Sequence, residues 1–225
     1  MSYFRVIWTV ARKDLLIELR TRERLAAMGA FTVLVGVLFN YSIDQALVRP
    51  QEIAPGLLWM TIIFSGLLGV GRTFSLEEED GAFTGVLQTP IPLDALYLGK
   101  MLANVVILSI VTALIFLVFG LFFNLQFGTH PLVLATVVLL GLLGFVALST
   151  LFSAMSARTT MGESLLPVLV FPLLIPMVIF GASATARLLA DRPVSEVTGN
   201  VRMLGAFAVL AVSASAALFR HVVEE

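Results

Sequence analysis

Cysteine is absent from the 225 residues, and charged side chains are scarce. Without cysteine the chain has no disulfide bonds, no thiol chemistry and no thiolate metal ligands. Charged residues make up 13% of the sequence, against about 25% in an average soluble domain, which excludes an ordinary soluble enzyme and a disordered chain. The net charge of −1 leaves no basic excess, so no nucleic-acid partner is predicted.

Apolar residues fill most of the remaining positions. They account for 59% of the chain, and the mean hydropathy is +1.00, values typical of a membrane protein with several spans. A transmembrane helix needs about 20 apolar residues, so six of them would hold about 120 residues and leave about 100 for tails and loops. No independent soluble domain fits into that remainder. The first 24 residues are too highly charged for a cleaved signal peptide.

Six apolar stretches, separated by loop signals that contain proline or glycine, predict six transmembrane helices. The sequence therefore predicts an all-α polytopic membrane protein in which residues 25–225 form one six-span domain. The predicted spans cover residues 25–43, 53–71, 93–123, 132–155, 164–189 and 201–222.

Residues 1–24 precede the first span and predict an amphipathic helix. Apolar side chains recur with helical spacing, as at Phe4, Trp8 and Leu15, while Arg5 and Arg12 lie among the polar positions. This helix is too polar to span a membrane, so it is predicted to lie in the interface with its basic side towards anionic headgroups. A helix packed on a soluble partner is the alternative.

The distribution of Lys and Arg predicts the orientation of the chain. With the N-terminus inside, ten basic residues flank the cytoplasmic ends of the spans against four on the outer side. The last outer loop is discordant, because Arg187, Arg192 and Arg202 flank it. The first basic cluster usually dominates orientation, so both termini are predicted to be cytoplasmic.

The loop between spans two and three, residues 72–92, combines a cluster of acids with a short apolar helix. Anionic headgroups repel the acids, so the loop is predicted to project away from the membrane. The apolar residues have the i, i+3, i+4 spacing of one helix face between Gly81 and Pro90, which indicates a docking element. A solvated surface loop fits the composition equally well. The acids are Glu77, Glu78, Glu79 and Asp80, and the apolar residues are Phe83, Val86 and Leu87.

Two motifs relate the chain to a known family. The loop contains Arg72-x-Phe74-x-x-Glu77, Glu79-Asp80-Gly81, Leu87-x-x-Pro90-x-Pro92 and Gly99-Lys100. It resembles the loop between spans two and three of type-2 ABC transporter permeases. Span five, with Leu166-Pro167, Pro172 and Ile175-Pro176, is similar to that of the haem exporter B (CcmB) family of cytochrome c maturation. The amphipathic N-terminal helix, the six spans and the chain length agree with that family.

The resemblance implies a permease subunit rather than an enzyme. It implies a homodimer in the bacterial cytoplasmic (inner) membrane, paired near spans one and five, that binds two copies of a separate ABC ATPase. A haem-handling membrane protein and a small single-span protein would complete the assembly. ATP hydrolysis would drive haem export or the release of a haem-loaded chaperone. Residues Glu77 to Leu87 would form the ATPase-coupling helix and residues 1–24 the elbow helix.

The chain lacks the residues that would bind ATP itself. Its single Gly-Lys pair, Gly99-Lys100, has Asp94 where a phosphate-binding loop requires its first glycine. Met101 follows in place of the hydroxyl that would bind magnesium. ATP is therefore expected in the partner subunit.

No set of residues predicts a haem, metal or catalytic site. The two histidines, His130 and His221, are predicted on opposite faces of the membrane and cannot share an iron, so haem has no identified ligand and no cofactor is predicted for this chain alone. Ser65 and Ser149 have no intramembrane histidine as a base. The nearest candidates for a proton relay fall near span ends and are Asp44 and Glu163.

Proline and glycine mark two further features of the spans. Pro167, Pro172 and Pro176 each remove a backbone donor from span five. They predict a bent or interrupted helix that serves as a re-entrant or hinge element near the outer face, with a static kink as the alternative. Small residues in spans two and four predict close helix approach, and these are Gly66, Gly69, Gly71, Gly141 and Gly144.

Two functions without an ATPase also fit the composition, namely a secondary carrier for a small solute and a scaffold subunit of a membrane complex. A carrier has no need of a docking helix, so the loop over residues 72–92 favours the ABC permease. A scaffold subunit is harder to distinguish from an ABC permease, because the sequence contains no clear translocation path.

The topology can be tested by cysteine labelling, since the chain has no native thiol. Glu78→Cys is expected to resist an impermeant maleimide in intact cells and to react after permeabilisation, because the acidic loop is predicted to be cytoplasmic. His130→Cys, in a predicted outer loop, serves as the control and should react in intact cells. Labelling of Glu78→Cys from outside would contradict the assignment.

Overall fold

The computed structural model describes residues 3–43, 49–74, 85, 91–157 and 162–224, with no side chains described at 162–166 and 224. Over these residues the chain forms seven long α-helices and one short 3-10 turn, Val194–Glu196. The helices are α1 Tyr3–Thr21, α2 Glu23–Ser42, α3 Pro50–Val70, α4 Leu93–Phe123, α5 Pro131–Ala157, α6 Gly162–Leu189 and α7 Thr198–Glu224.

The prediction of an all-α protein with six spans is confirmed. Helices α2 to α7 are each long and apolar enough to cross a membrane, and α4 has the highest mean hydropathy of the six. The 31 residues of α4 extend over about 46 Å, which exceeds the roughly 30 Å of bilayer hydrocarbon. Helix α4 is therefore long enough to extend beyond the hydrocarbon region, and its acidic first turn, with Asp94, is the end expected to do so.

The predicted amphipathic N-terminal helix is present as α1, and it packs along the first half of α4. One face is buried against the bundle and includes Asp14 and Glu18, while Phe4 and Trp8 are exposed. The acidic side chains thus point into the protein, and the basic and large apolar side chains point outwards. An exposed apolar stripe beside arginines suits a helix that lies in the membrane interface. The interfacial position of α1 stays a prediction.

A sharp turn at Arg22 separates α1 from α2. Arg22 has φ 55°, a left-handed conformation that L-residues adopt rarely. The turn is stabilised by Glu18, whose main-chain carbonyl accepts the Arg22 N–H at 2.7 Å. The Glu18 carboxylate also accepts the Leu25 N–H at 2.9 Å. A carboxylate at this position satisfies a free donor in the first turn of α2 and complements the helix dipole.

The core forms around α5, which packs against α3, α4, α6 and α7. Four predicted glycines allow close contact as expected, because a Cβ at each would strike a neighbouring side chain. Gly66 faces Phe145, Gly69 faces Met28, Gly141 faces Trp59 and Gly144 faces Phe207. The fifth, Gly71, has another role, since its carbonyl accepts the Ser153 hydroxyl at 2.8 Å.

Trp59 of α3 lies at the centre of this packing and is fully buried. Its ring contacts Gly141 of α5 and Gly181 of α6, and its Nε1 donates to the Thr185 hydroxyl at 3.0 Å. The hydrogen bond fixes the ring orientation and satisfies a polar group that would otherwise be costly in an apolar core.

The three prolines of α6 do not interrupt the helix, which continues from Gly162 to Leu189. Pro167 lines a cavity with Gly71 and Arg72, beside the chain that follows α3. The expected interruption of the helix is therefore wrong, whereas the bend and the hinge role expected of these prolines stay predictions. Each proline removes one donor and leaves the other hydrogen bonds of the helix in place.

The opposite end of the bundle is closed by the connection between α4 and α5. Gly128 has φ 72° and lies against the Leu188 carbonyl, where a Cβ would clash. The Thr129 N–H donates to the Asp191 carboxylate at 2.9 Å. His130 therefore lies at this end, whereas His221 lies in the last turn of α7, whose Arg220 lines a cavity with Asp94 at the start of α4. The two histidines are at opposite ends of the bundle, and the assignment of these ends to opposite faces of the membrane stays a prediction.

The packing of Trp59 can be tested with two glycine substitutions. In Gly181→Ala the new Cβ would lie 2.5 Å from the Trp59 ring, so overpacking should lower the free energy of unfolding by about 1–3 kcal/mol. In the control Gly205→Ala nothing lies within 4 Å of the new Cβ, so stability should rise by about 0.5–1 kcal/mol. Unfolding in mixed micelles measures both, and equal stability of the two variants would refute the packing.

Candidate functional site

The predicted ATPase-coupling residues lie outside the described residues. They are Glu77, Glu78, Glu79, Asp80, Gly81, Phe83, Val86 and Leu87. The structure does describe the chain on both sides of them. We call residues 71–74 the N-terminal stem of the loop and residues 91–94 its C-terminal stem. The contacts of these stems show what the loop is attached to.

The C-terminal stem is attached to the beginning of α1. The hydroxyl of Tyr3 donates to the Asp94 carboxylate at 2.7 Å. This hydrogen bond, with desolvation and the carboxylate charge, raises the pKa of Tyr3 to about 12. The phenol is therefore protonated, and able to donate, throughout the physiological pH range.

The N-terminal stem is attached to α4, α5 and α7. Thr73 donates to the Val70 carbonyl at 2.6 Å and accepts the Asn104 amide at 2.9 Å. Phe74 is fully buried, with its ring centroid 5.8 Å from that of Phe219 and 4.8 Å from the Lys100 ammonium. These contacts hold the last described residues before the loop within the protein interior.

Lys100 is a buried cation, with 1% of its surface exposed. Its ammonium lies 3.4 Å from the Asp14 carboxylate of α1, which also lies 3.1 Å from the Lys13 ammonium. Taking an ammonium out of water costs several kcal/mol unless it is paired. The carboxylate of Asp14 and the face of the Phe74 ring supply that compensation.

One turn further along α4, Asn104 is buried and joins four segments. Its amide nitrogen donates to Thr73 and to Thr150 of α5, at 2.9 and 3.1 Å. Its amide oxygen accepts from Arg24 of α2 at 3.3 Å. Arg24 in turn lies 2.7 Å from the buried Glu18 carboxylate of α1. A single amide thus links the loop stem to α1, α2 and α5, and its donors and acceptor are all used.

Sequence patterns alone did not identify this cluster. Its signal is the i, i+4 spacing of Lys100 and Asn104 within the otherwise apolar span 93–123, matched by the spacing of Asp14 and Glu18 in α1. The buried position of these four side chains became evident only from the packing of α1 on α4.

A cavity of about 560 Å³ opens beside the N-terminal stem, between α2, α3 and Pro167 of α6. Its polar end carries Arg24 and an exposed ion pair in which Arg72 lies 3.5 Å from Glu23. Its other end is apolar and includes Phe31 and Phe64. The lining of the cavity thus changes from polar to apolar along its length, as expected for a site that runs from the membrane surface into the hydrocarbon region.

The other candidates do not form a catalytic or metal site among the described residues. Ser65 lies 3.4 Å from the Thr32 hydroxyl, and Ser149 is buried within α5. No three His, Asp or Glu side chains come together in the described part of the chain to hold a metal ion. Asp44 and the side chain of Glu163 lie outside it.

Comparison with known proteins agrees with the architecture. A family model described as CcmB protein matches residues 5–224. Heme exporter protein B of Paracoccus denitrificans is 34% identical over 179 residues, which cover 78% of this chain and 80% of that protein. Heme exporter protein B of Escherichia coli K12 is 31% identical over 96% of this chain and 98% of its own length. The protein of the same name from Pseudomonas aeruginosa is 29% identical over 91% of this chain and 89% of its own.

The buried ion pair can be tested against an exposed one in the same region. Glu18→Gln removes the charge that compensates Arg24 and should lower the free energy of unfolding by about 3 kcal/mol or more. Glu23→Gln is the matched control, because Glu23 and Arg72 are both more than half exposed and such pairs contribute about 0–1 kcal/mol. Unfolding in mixed micelles compares the two, and equal losses would show that Glu18 is not buried with Arg24.

Proposed function

The chain belongs to the CcmB protein family, and from that premise we propose that it is the membrane subunit of a haem-export complex. The observation that carries the proposal is the match to proteins named heme exporter protein B over nearly the whole chain. Six helices that are long and apolar enough to span a membrane suit a subunit that acts within the bilayer. The process served would be cytochrome c maturation, through haem export or release of a haem-loaded chaperone.

The energy for this process is proposed to come from ATP hydrolysis in a separate ABC ATPase subunit, since the chain has no phosphate-binding loop of its own. The loop 72–92 would meet the ATPase, with Phe83, Val86 and Leu87 as the buried face. Its two stems support this role, because both are fastened to other helices. A loop held at both ends can pass force to the bundle.

The complex is proposed to contain two copies of this chain, because an ABC motor forms its two ATP sites between two ATPase subunits. Helices α2 and α6 both pack on α3 and expose large apolar side chains, including Leu34 and Ile175. This surface is the proposed pairing surface. A haem-handling membrane protein and a small single-span protein would complete the complex in the bacterial inner membrane, with both termini in the cytoplasm.

The docking face can be tested by comparing an apolar with an acidic substitution. Burial of an aromatic side chain stabilises an interface by about 1.5–3 kcal/mol before association costs, whereas an exposed ion pair contributes about 0–1 kcal/mol. Phe83→Ala is therefore expected to weaken association with the ATPase more than Glu79→Gln does. Co-purification from membranes measures association, and the yield of mature c-type cytochromes in a strain lacking the native chain measures function.

Two outcomes would contradict the proposal in different ways. If Phe83→Ala retains association while Glu79→Gln loses it, the acids form the contact and the apolar face is wrongly assigned. If the unsubstituted chain binds no ATPase and does not restore c-type cytochromes, the haem-export function itself is wrong. A carrier or a scaffold would then be the remaining reading.

A further inference from the structure

We propose that Lys100 and Asn104 of α4 are positioning residues that transmit displacement of the loop 75–90 to α1 and the spans. The inference rests on the proposed function, because it assumes that an ATPase moves the loop. It assigns a role to two residues that lie outside the predicted docking face. Both are buried, and both act through the side chains that they contact.

The two residues form parallel connections between α1 and the N-terminal stem. We call these the polar ladder. Its first rung runs from Asp14 through the Lys100 ammonium to the ring of Phe74. Its second rung runs from Glu18 through Arg24 and Asn104 to Thr73. Both α1 carboxylates and both α4 side chains are spaced i, i+4, so the rungs lie one above the other on facing helix surfaces.

Burial makes the polar ladder stiff. Lys100 and Asn104 are 1% and 2% exposed, and Asp14 and Glu18 are 8% and 3% exposed. Separating Lys100 or Asn104 from the other buried side chains would leave a charge or an amide unsatisfied where water does not replace the lost contact. The stem, α1 and the first half of α4 should therefore move together, rather than slide past one another.

An exposed ion pair nearby is expected to resist displacement less than the buried polar ladder does. Arg72 belongs to the same stem and lies 3.5 Å from Glu23, but the two side chains are 55% and 67% exposed. Water can solvate either partner when this pair opens, so it resists displacement little. Transmission is therefore assigned to Thr73 and Phe74, which follow Arg72 in the chain and point into the protein.

The polar ladder also reaches the membrane-spanning helices. Asn104 donates to Thr150 of α5, and α4 continues from Asn104 to Phe123 at the opposite end of the bundle. The C-terminal stem is held to the same α1 helix through Tyr3 and Asp94. Helix α1 thus connects both stems of the loop, and α4 and α5 carry a displacement across the bilayer.

Thr73 provides a matched pair of variants for the test. Thr73→Val keeps the shape of the side chain but removes the hydroxyl that accepts the Asn104 amide. Thr73→Ser keeps the hydroxyl. Ser109→Ala is a control on the same helix as Asn104, because within the described part of the chain its hydroxyl bonds to the Val105 carbonyl of α4 itself. Lys100→Met breaks the first rung independently.

The full complex, with its ATPase, is assayed in membranes for three quantities. These are the amount of ATPase that co-purifies, the rate of ATP hydrolysis, and the yield of mature c-type cytochrome per ATP hydrolysed. Thr73→Val and Lys100→Met should retain the ATPase within about twofold but lower the yield per ATP by about tenfold, because each removes a buried polar contact on which the transmitted displacement depends. Thr73→Ser and Ser109→Ala should match the unsubstituted chain in all three.

A spin-label measurement tests motion directly. Labels at Thr9→Cys on α1 and Leu132→Cys at the opposite end of the bundle, both exposed, should change their separation when ATP binds. The change should disappear in Thr73→Val combined with Lys100→Met. A merely structural role would alter thermal stability without removing this nucleotide response, so melting of each variant is recorded alongside.

Three results would overturn the inference. If Thr73→Val and Lys100→Met keep normal yield per ATP, the polar ladder transmits nothing. If they lose the ATPase as Phe83→Ala is expected to, they belong to the docking surface rather than to transmission. If the unsubstituted chain binds no ATPase, the proposed function fails and the transmission role fails with it.

Discussion

Buried charged side chains between α1, α2 and α4 determine how one end of the helix bundle is built. Lys100 is removed from water, Arg24 is largely so, and such a cation costs several kcal/mol if it is left without a partner. Helix α1 supplies the two carboxylates that compensate them. For this reason α1 packs on α4, the chain turns sharply at Arg22, and the first turn of α2 begins on the Glu18 carboxylate. The stem of the loop is held by the same cluster.

The interior of the bundle is organised by a different interaction, the contact of large rings with glycine. Trp59 fits between Gly141 and Gly181, and Phe145 fits against Gly66. Hydrocarbon lipid tails are as apolar as leucine, so burial alone does not drive these helices together, and close packing does. Helices α3 and α5 are the most completely surrounded, while α2, α6 and α7 keep much of their surface open to lipid or to a partner.

These two features meet at the loop between α3 and α4. Helix α3 is fixed in the core by Trp59, and the residues that follow it are fixed by Asn104 and Lys100. The loop therefore leaves the bundle from a rigid base. The cavity that is polar at one end and apolar at the other lies beside the N-terminal stem, between α2, α3 and α6.

Much of the fold could be predicted from the sequence, because membrane spans have a simple physical signature. About 20 apolar residues are needed to cross the hydrocarbon region, so the six spans were predictable within three residues of their observed ends. The amphipathic pattern of α1 was also readable, since it depends only on spacing along one helix. The family followed from motifs around Gly81 and Pro167.

Tertiary structure decided which side of α1 faces the bundle and which residues hold the loop. The sequence shows Asp14, Glu18 and Lys100 as charged residues at the membrane surface, where water is the default partner. Only the packing of α1 on α4 shows that they satisfy one another in the interior. Pro167, Pro172 and Pro176 predicted a broken helix, yet the structure keeps α6 continuous. Local sequence patterns indicate the secondary structure that a segment favours. The partners of a buried polar group depend on segments far away in the chain.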